Sequence, residues 1–227
     1  LVPTAKVAAR LDLHYTPHPE YHGRLGQRLR QVKSYHNARQ LFIAPAPTLS
    51  QLRINALIDG KDVIMPGTGL KEGFYLLKPF TIPFPKLSFA VTYKGVSQFG
   101  RRLAASDLDT LTIDLLITDA LAVDEYGTRL GDGLGFFDLS CAILAEHQAL
   151  DVSHSNYAAL DDETLLMPGP LPFDDWDVKM DGVILPSGVR DIAGAARNDY
   201  SIHWDQLPER RIKKIKPLWE LRPEPTN

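Results

Sequence analysis

LFIAPAPTLSQLRINALIDGKDVIMPG, residues 41–67, sets a strand, a helix and a second strand in quick succession. Leu41-Phe42-Ile43 is a short apolar run stopped by Pro45 and Pro47. Thr48 and Ser50 are candidate N-caps for a helix carrying Leu52, Ala56 and Leu57, which ends at Asp59-Gly60. Lys61 to Met65 is the next strand, closed by Pro66-Gly67. Such alternation predicts a parallel sheet with right-handed crossovers, an α/β fold. Outward from this unit, Gly23 to Asn37 spaces Leu25, Leu29, Val32 and Tyr35 as one amphipathic helix. Leu87 to Tyr93 alternates as a strand would. Ile113 to Thr118 is the best candidate for a central strand, followed by Ala120 to Val123 and a turn at Asp124-Glu125-Tyr126-Gly127. Phe136 to Glu146 reads as a helix with Phe137, Cys141 and Leu144 on one face, and Val183-Ile184-Leu185 as a last core strand. The expected organisation is an N-terminal helical segment (1–37), an α/β domain (38–188) and a polar C-terminal extension (189–227). In that extension, Glu209-Arg210-Arg211-Ile212-Lys213-Lys214 reads as a solvated face and not as a nucleic-acid patch.

Composition excludes several classes. The 227 residues are 44% apolar and 23% charged, with net charge −3, so no global field draws the chain to nucleic acid or an anionic membrane. The longest apolar runs are interrupted by acids and fall short of the roughly 20 residues of a membrane span. The single cysteine, Cys141, excludes an internal disulfide framework and fits a cytoplasmic setting. Because the chain starts Leu1-Val2-Pro3, it is expected to lack some N-terminal residues.

The segment that carries chemistry is YGTRLGDGLGFFD, residues 126–138, between a predicted strand and a predicted helix. Gly131, Gly133 and Gly135 alternate, leaving backbone amides unshielded where a ligand must come close. The helix that follows adds its positive N-terminal end, so the loop is expected to cradle an anion. Arg129 can pair two phosphate oxygens, and Asp138 has the chemistry of a Mg²⁺ ligand. The same residues would also serve as a salt bridge from Arg129 to Asp124 or Glu125, and as charge compensation at the helix start.

Gly127-Thr128-Arg129-Leu130-Gly131-Asp132-Gly133-Leu134-Gly135-Phe136-Phe137-Asp138 resembles the G-x-R-L-G-x-G-x-G-Y-Y-D signature of 5-formyltetrahydrofolate cyclo-ligases. Ile113-Asp114-Leu115-Leu116-Ile117 is similar to the family's iDLvivP strand, and Trp176 to Ile184 to its hDvxvDxvit segment. Arg53 to Pro66 resembles a divergent branch. The resemblance covers residues 38 to 188. It implies a three-layer α/β/α sandwich with a mainly parallel sheet, related to ribose-phosphate isomerases and CoA transferases. It implies the conversion of 5-formyltetrahydrofolate to 5,10-methenyltetrahydrofolate with ATP and Mg²⁺. Carried over residue by residue, Arg129 is the candidate catalytic group and Asp138 the metal ligand. Arg129, Leu130, Gly131, Gly133, Leu134, Gly135, Phe136 and Phe137 would hold nucleotide, joined by Lys6 and Arg10 as the remnant of an N-terminal K-x-x-x-R element.

Phe136 and Phe137 stand where the pattern has tyrosines, and Asp132 and Leu134 occupy positions often basic in active members. An alternative reading is therefore a paralogue without cyclo-ligase activity that binds a nucleotide, folate or related heterocycle in a regulatory or salvage role. A sugar-phosphate or acyl-CoA enzyme of the same fold would need a catalytic acid or base beside the loop, for which only Glu125 offers itself. Elsewhere, His14, His18 and His22 fall four apart, but Pro17 and Pro19 break the helix that would align them. Cys141 is expected in the core, and Trp176 in an exposed loop with a flat face suited to a pterin.

Overall fold

The computed structural model describes residues 5–13, 15–194 and 199–223. Strand β1 is Gln40–Ile43, and Leu41, Phe42 and Ile43 are all fully buried. Successive side chains of a strand point to opposite faces, so burial of all three means that both faces of the sheet are covered. The other strands are β2 Asp62–Pro66, β3 Phe74–Leu77, β4 Arg101–Arg102, β5 Ile113–Asp119, β6 Ala122–Asp124, β7 Arg129–Leu130, β8 Leu150–Ala159, β9 Leu166–Met167, β10 Gly182–Ile184 and β11 Val189–Asp191. Eight of them form one sheet in the order β11-β10-β8-β5-β1-β2-β3-β4. Its centre, β10 through β2, is parallel, and the edge strands β11, β3 and β4 run antiparallel. A small second sheet, β7-β6-β9, leads into the glycine loop.

The helices are α1 Ala5–Asp12, α2 His22–Arg28, α3 Lys33–Asn37, α4 Ser50–Ile58, α5 Leu87–Ala90, α6 Tyr93–Phe99, α7 Ala105–Leu108, α8 Phe136–Glu146, α9 Glu209–Lys214 and α10 Lys216–Leu221. The expected β1-α4-β2 unit is present, and α8 has the expected bounds. Cys141 is buried with a free thiol, and burial holds its pKa well above the ordinary value.

Three expectations need correction. Gly23 to Asn37 is not one helix: the chain is extended at Val32 (ψ 121°), which separates α2 and a 3-10 turn from α3, although Leu25, Leu29, Val32 and Tyr35 are all buried as expected. Neither Thr48 nor Ser50 caps α4. A 3-10 turn over Pro47–Leu49 leads into it, and the Ser50 hydroxyl instead accepts from Arg53. Leu87 to Tyr93 is not a strand: α5 ends at Ala90, and extended Thr92 starts α6 at Tyr93, its side chain accepting from Gly95 N–H at 3.0 Å. Val183 to Leu185 supplies the last core strand as expected, and beyond it β11, an exposed edge strand, pairs antiparallel with β10, with the Tyr157 hydroxyl of β8 donating to Asp191 at 2.8 Å.

Hydrophobic residues from all three expected segments meet in one core. Leu25 and Leu29 come from the N-terminal side, and Ile212, Ile215 and Leu218 from the C-terminal side. The charged run 209–214 therefore has a buried face as well as a solvated one.

Candidate nucleotide and substrate cleft

Chain order dictates where a site can form. The chain leaves β1 for β2 on one side and returns with β5 on the other, so β1 and β5 flank a topological switch point. Crevices outside the carboxyl ends of such strands are where open α/β sheets bind ligands. A cleft of about 1000 Å³ lies there, floored by Ala44, Pro45, Thr118 and Asp119. One wall is the glycine loop that precedes α8. Phe89, Tyr93 and Lys94 form part of the opposite wall, and α1 brings in Lys6 and Arg10.

The loop has the conformation that its glycines permit. Gly133 (φ +89°) and Gly135 (φ +63°) lie in the left-handed region, and Gly135 occupies the N-cap of α8. A Cβ at Gly133 would meet the Arg10 guanidinium at 3.0 Å. Among the described residues, the amides of Gly131, Gly133 and Gly135 bond to no protein acceptor. Asp132 turns back on its own loop, where a carboxylate oxygen accepts from Leu134 N–H at 2.8 Å.

Arg129 and Asp138 are brought together. The guanidinium donates to Asp138 at 2.8 Å and lies 5.0 Å from the centre of the Phe137 ring. Burial acts against its charge, yet the attraction of Asp138 prevails and holds its pKa above the ordinary value. Its Nε is buried with no partner among the described residues. The second Asp138 oxygen accepts from Val178 N–H at 3.1 Å, fastening the helix start to the segment after Trp176. Asp124 instead accepts from Tyr126, Thr128 and Leu171 amides to shape the turn before the loop. Glu125 is exposed and takes no part in the cleft lining.

The N-terminal pair also reaches the site. Arg10 Nε donates to Gly131 O at 2.6 Å, and Lys6 pairs with Asp177 and with Asp174, the latter at 2.7 Å. Gly131, Gly133, Leu134, Gly135, Phe136, Phe137 and Asp138 all line the cleft. Leu130 does not. It pairs with Ala122 across β6 and β7, and strand alternation turns Arg129 to the cleft and Leu130 into the interior, where it is fully buried. Trp176 also lines the cleft, edge-on to His203. Of the spaced histidines, His14 lies outside the described residues. His18 and His22 gather instead at buried Asp161, which accepts from Tyr15 OH at 2.8 Å and from His18 N–H at 2.9 Å.

Sequence reasoning missed two charged residues at the floor. Arg53 is fully buried. It donates to the carbonyls of Ala44, Ala46 (3.1 Å) and Val91 (3.0 Å), and burial lowers its pKa to about 10. A basic residue beside Leu52, Ala56 and Leu57 on a helix was the available signal. Asp119 ends β5, and its pKa is raised, chiefly by burial, with Arg129 acting in the opposite direction. A carboxylate at the last position of an apolar central strand was the corresponding signal.

The chain is similar to several known proteins. A methenyltetrahydrofolate synthase domain-containing protein of Mus musculus is 24% identical over 197 residues, 86% of this chain and 52% of that protein. The chain thus spans about half the length of this curated relative. A 5-formyltetrahydrofolate cyclo-ligase of Escherichia coli K12 is 34% identical over 77 residues, 34% of this chain and 38% of that one. The solution structure of Aquifex aeolicus 5,10-methenyltetrahydrofolate synthetase shares the fold with TM-score 0.54 at 17% identity, covering 89% of this chain and 97% of that chain. The model of the 5-formyltetrahydrofolate cyclo-ligase family matches residues 14–186, and the chain belongs to that family.

Proposed function

We propose that the chain converts 5-formyltetrahydrofolate to 5,10-methenyltetrahydrofolate at the expense of Mg-ATP. The observation that carries this reading is the row of unbonded amides at Gly131, Gly133 and Gly135, residues that line a cleft at the switch point beside the nearly buried Arg129 guanidinium. Such a row is suited to phosphate oxygens, and the N-terminal end of α8 adds to it. The formyl oxygen attacks the γ-phosphorus and ADP departs. N10 then closes on the activated carbon, phosphate leaves, and the N10 proton is lost. There is little covalent work for the protein in these steps, so its contribution is positioning and charge stabilisation.

The cleft-lining side chains include five cations (Lys6, Arg10, Arg53, Lys94, Arg129) and five carboxylates (Asp119, Asp132, Asp138, Asp174, Asp177). Balanced walls do not neutralise a polyphosphate, which is why the reading includes a divalent cation. Among the described residues no three His, Cys, Asp or Glu side chains converge into a metal cage. Mg²⁺ does not require one, because it keeps water and takes phosphate oxygens. Asp138 would hold it, its oxygens retaining acceptor capacity beyond the bonds from Arg129 and Val178. When bound, the ion neutralises the phosphate charge. Arg10, anchored by Nε, has its other nitrogens left for phosphate. Trp176 and Tyr93 offer ring faces to the pterin.

One observation favours the non-cyclo-ligase paralogue. The rings of Phe136 and Phe137 support arginines through their faces and present no hydroxyl to the cleft. The test is the near-ultraviolet absorbance of 5,10-methenyltetrahydrofolate after mixing the protein with 5-formyltetrahydrofolate and Mg-ATP. A rise that requires all three components supports cyclo-ligation. No rise, with nucleotide binding retained, selects the paralogue.

A further inference from the structure

The family model ends at residue 186, and helix α9 lies beyond it. From that helix Arg211 reaches the glycine loop: Nη2 donates to Leu134 O at 2.5 Å, and the guanidinium lies 5.0 Å from the centre of the Phe136 ring. The tip of the Phe136 ring lies near Gly69, where an added Cβ would come within 3.9 Å of it. Helix α9 is itself anchored. Ile212, Ile215 and Leu218 are buried in the main core, and Lys216 N–H donates to Lys71 O at 3.0 Å. Burial lowers the Arg211 pKa while Asp132 acts to raise it, which sets the guanidinium among the loop's charges.

We infer that Arg211 is a positioning residue of the anion cradle. In a planar trans peptide, the C=O of one residue and the N–H of the next point in opposite directions. A cation bonded to Leu134 O therefore aims the Gly135 amide away from Arg211. Gly135 lines the cleft and Arg211 does not, so the amide that Arg211 orients is turned toward the cavity side. Bonding a cation to a carbonyl also polarises its peptide and strengthens the N–H as a donor. Arg211 thus orients the donors from behind, without touching the ligand.

This inference rests on the nucleotide reading above for its ligand, but not for its geometry. Mg-ATP affinity is measured by titration calorimetry, and KM for ATP and kcat by the absorbance assay, in Arg211→Gln, Arg211→Lys and, as a control on the same helix, Lys213→Gln. Loss of a charge-assisted bond predicts about tenfold weaker nucleotide binding in Arg211→Gln. The effect should fall on KM more than on kcat, with partial rescue in Arg211→Lys and no change in Lys213→Gln. Should Arg211→Gln fail to fold, Phe136→Leu removes the stacking partner and is expected to weaken binding severalfold. Parent-like affinity in whichever of these two variants folds overturns the inference. If the parent itself binds no nucleotide, the proposed function falls, and amide hydrogen exchange at Gly135 decides the strap alone. Faster exchange in the variant than in the parent supports it, and equal exchange refutes it.

Discussion

The cleft is lined by two arginines with little exposure, Arg53 at its floor and Arg129 in the loop wall, and the two are held in opposite ways. Arg53, behind the turn that leaves β1, is surrounded by carbonyls, and burial depresses its pKa to about 10. Arg129, under the glycine loop, is paired with a carboxylate that outweighs burial and raises its pKa. Carbonyl dipoles satisfy the donors of a guanidinium without cancelling its charge. Asp119, at the floor, acts on both guanidiniums, and Asp138 pairs with Arg129, so neither arginine offers an anion an uncompensated charge. The loop must instead attract an anion through amides, and those amides are the donors left without partners.

The contrast can be broken first at Arg129. Arg129→Ala would strand Asp138 in the interior, and losing one member of a buried pair typically costs about 3–5 kcal/mol. Denaturant unfolding should show that loss, and Arg129→Ala combined with Asp138→Asn should recover part of it. Arg129 is thus tied into stability as well as binding. Next in size is Arg53→Met, which leaves the Ala44, Ala46 and Val91 carbonyls without their donor. Part of that cost is offset by removing a buried charge, for a net loss of about 2–3 kcal/mol, read as a lowered urea midpoint at unchanged slope.

A smaller effect is expected at Gly133→Ala. The left-handed backbone and the contact with Arg10 together cost about 1–2 kcal/mol, and the shifted loop should bind nucleotide more weakly. Asp119→Asn has the opposite sign. A carboxyl whose folded pKa is raised costs stability once ionised, so at neutral pH the amide should raise the melting temperature. That gain should shrink as pH falls through the range where Asp119 becomes protonated. A gain that persists at pH 3 would show that the charge is not its source.

The legible parts of the molecule share a cause. β1, β2, β5 and α8 have apolar patterns set by burial on one or two faces, and the glycine spacing of the loop reports its own backbone requirement. β8, ten residues long and central, went unread because its first six residues, Leu150 to Ser155, are mostly polar and only its last four are buried. The strand-like pattern at Leu87 to Tyr93 yielded to the Thr92 cap, a side-chain bond that hydrophobic periodicity does not register. Arg211 looked like part of a solvated run, because a charged side chain that stacks on a ring and donates to a carbonyl leaves the same letters as one in water. The cleft itself followed from strand order, which no local pattern encodes. Its floor charges, Arg53 and Asp119, break local rules in the way expected of a functional site.

The central claim concerns the amides of the loop, and hydrogen exchange with and without Mg-ATP addresses it most directly. The account predicts that the amides of Gly131, Gly133 and Gly135 exchange freely in the unliganded protein and become protected when nucleotide is added. Protection elsewhere on the molecule, with these amides unchanged, would contradict it.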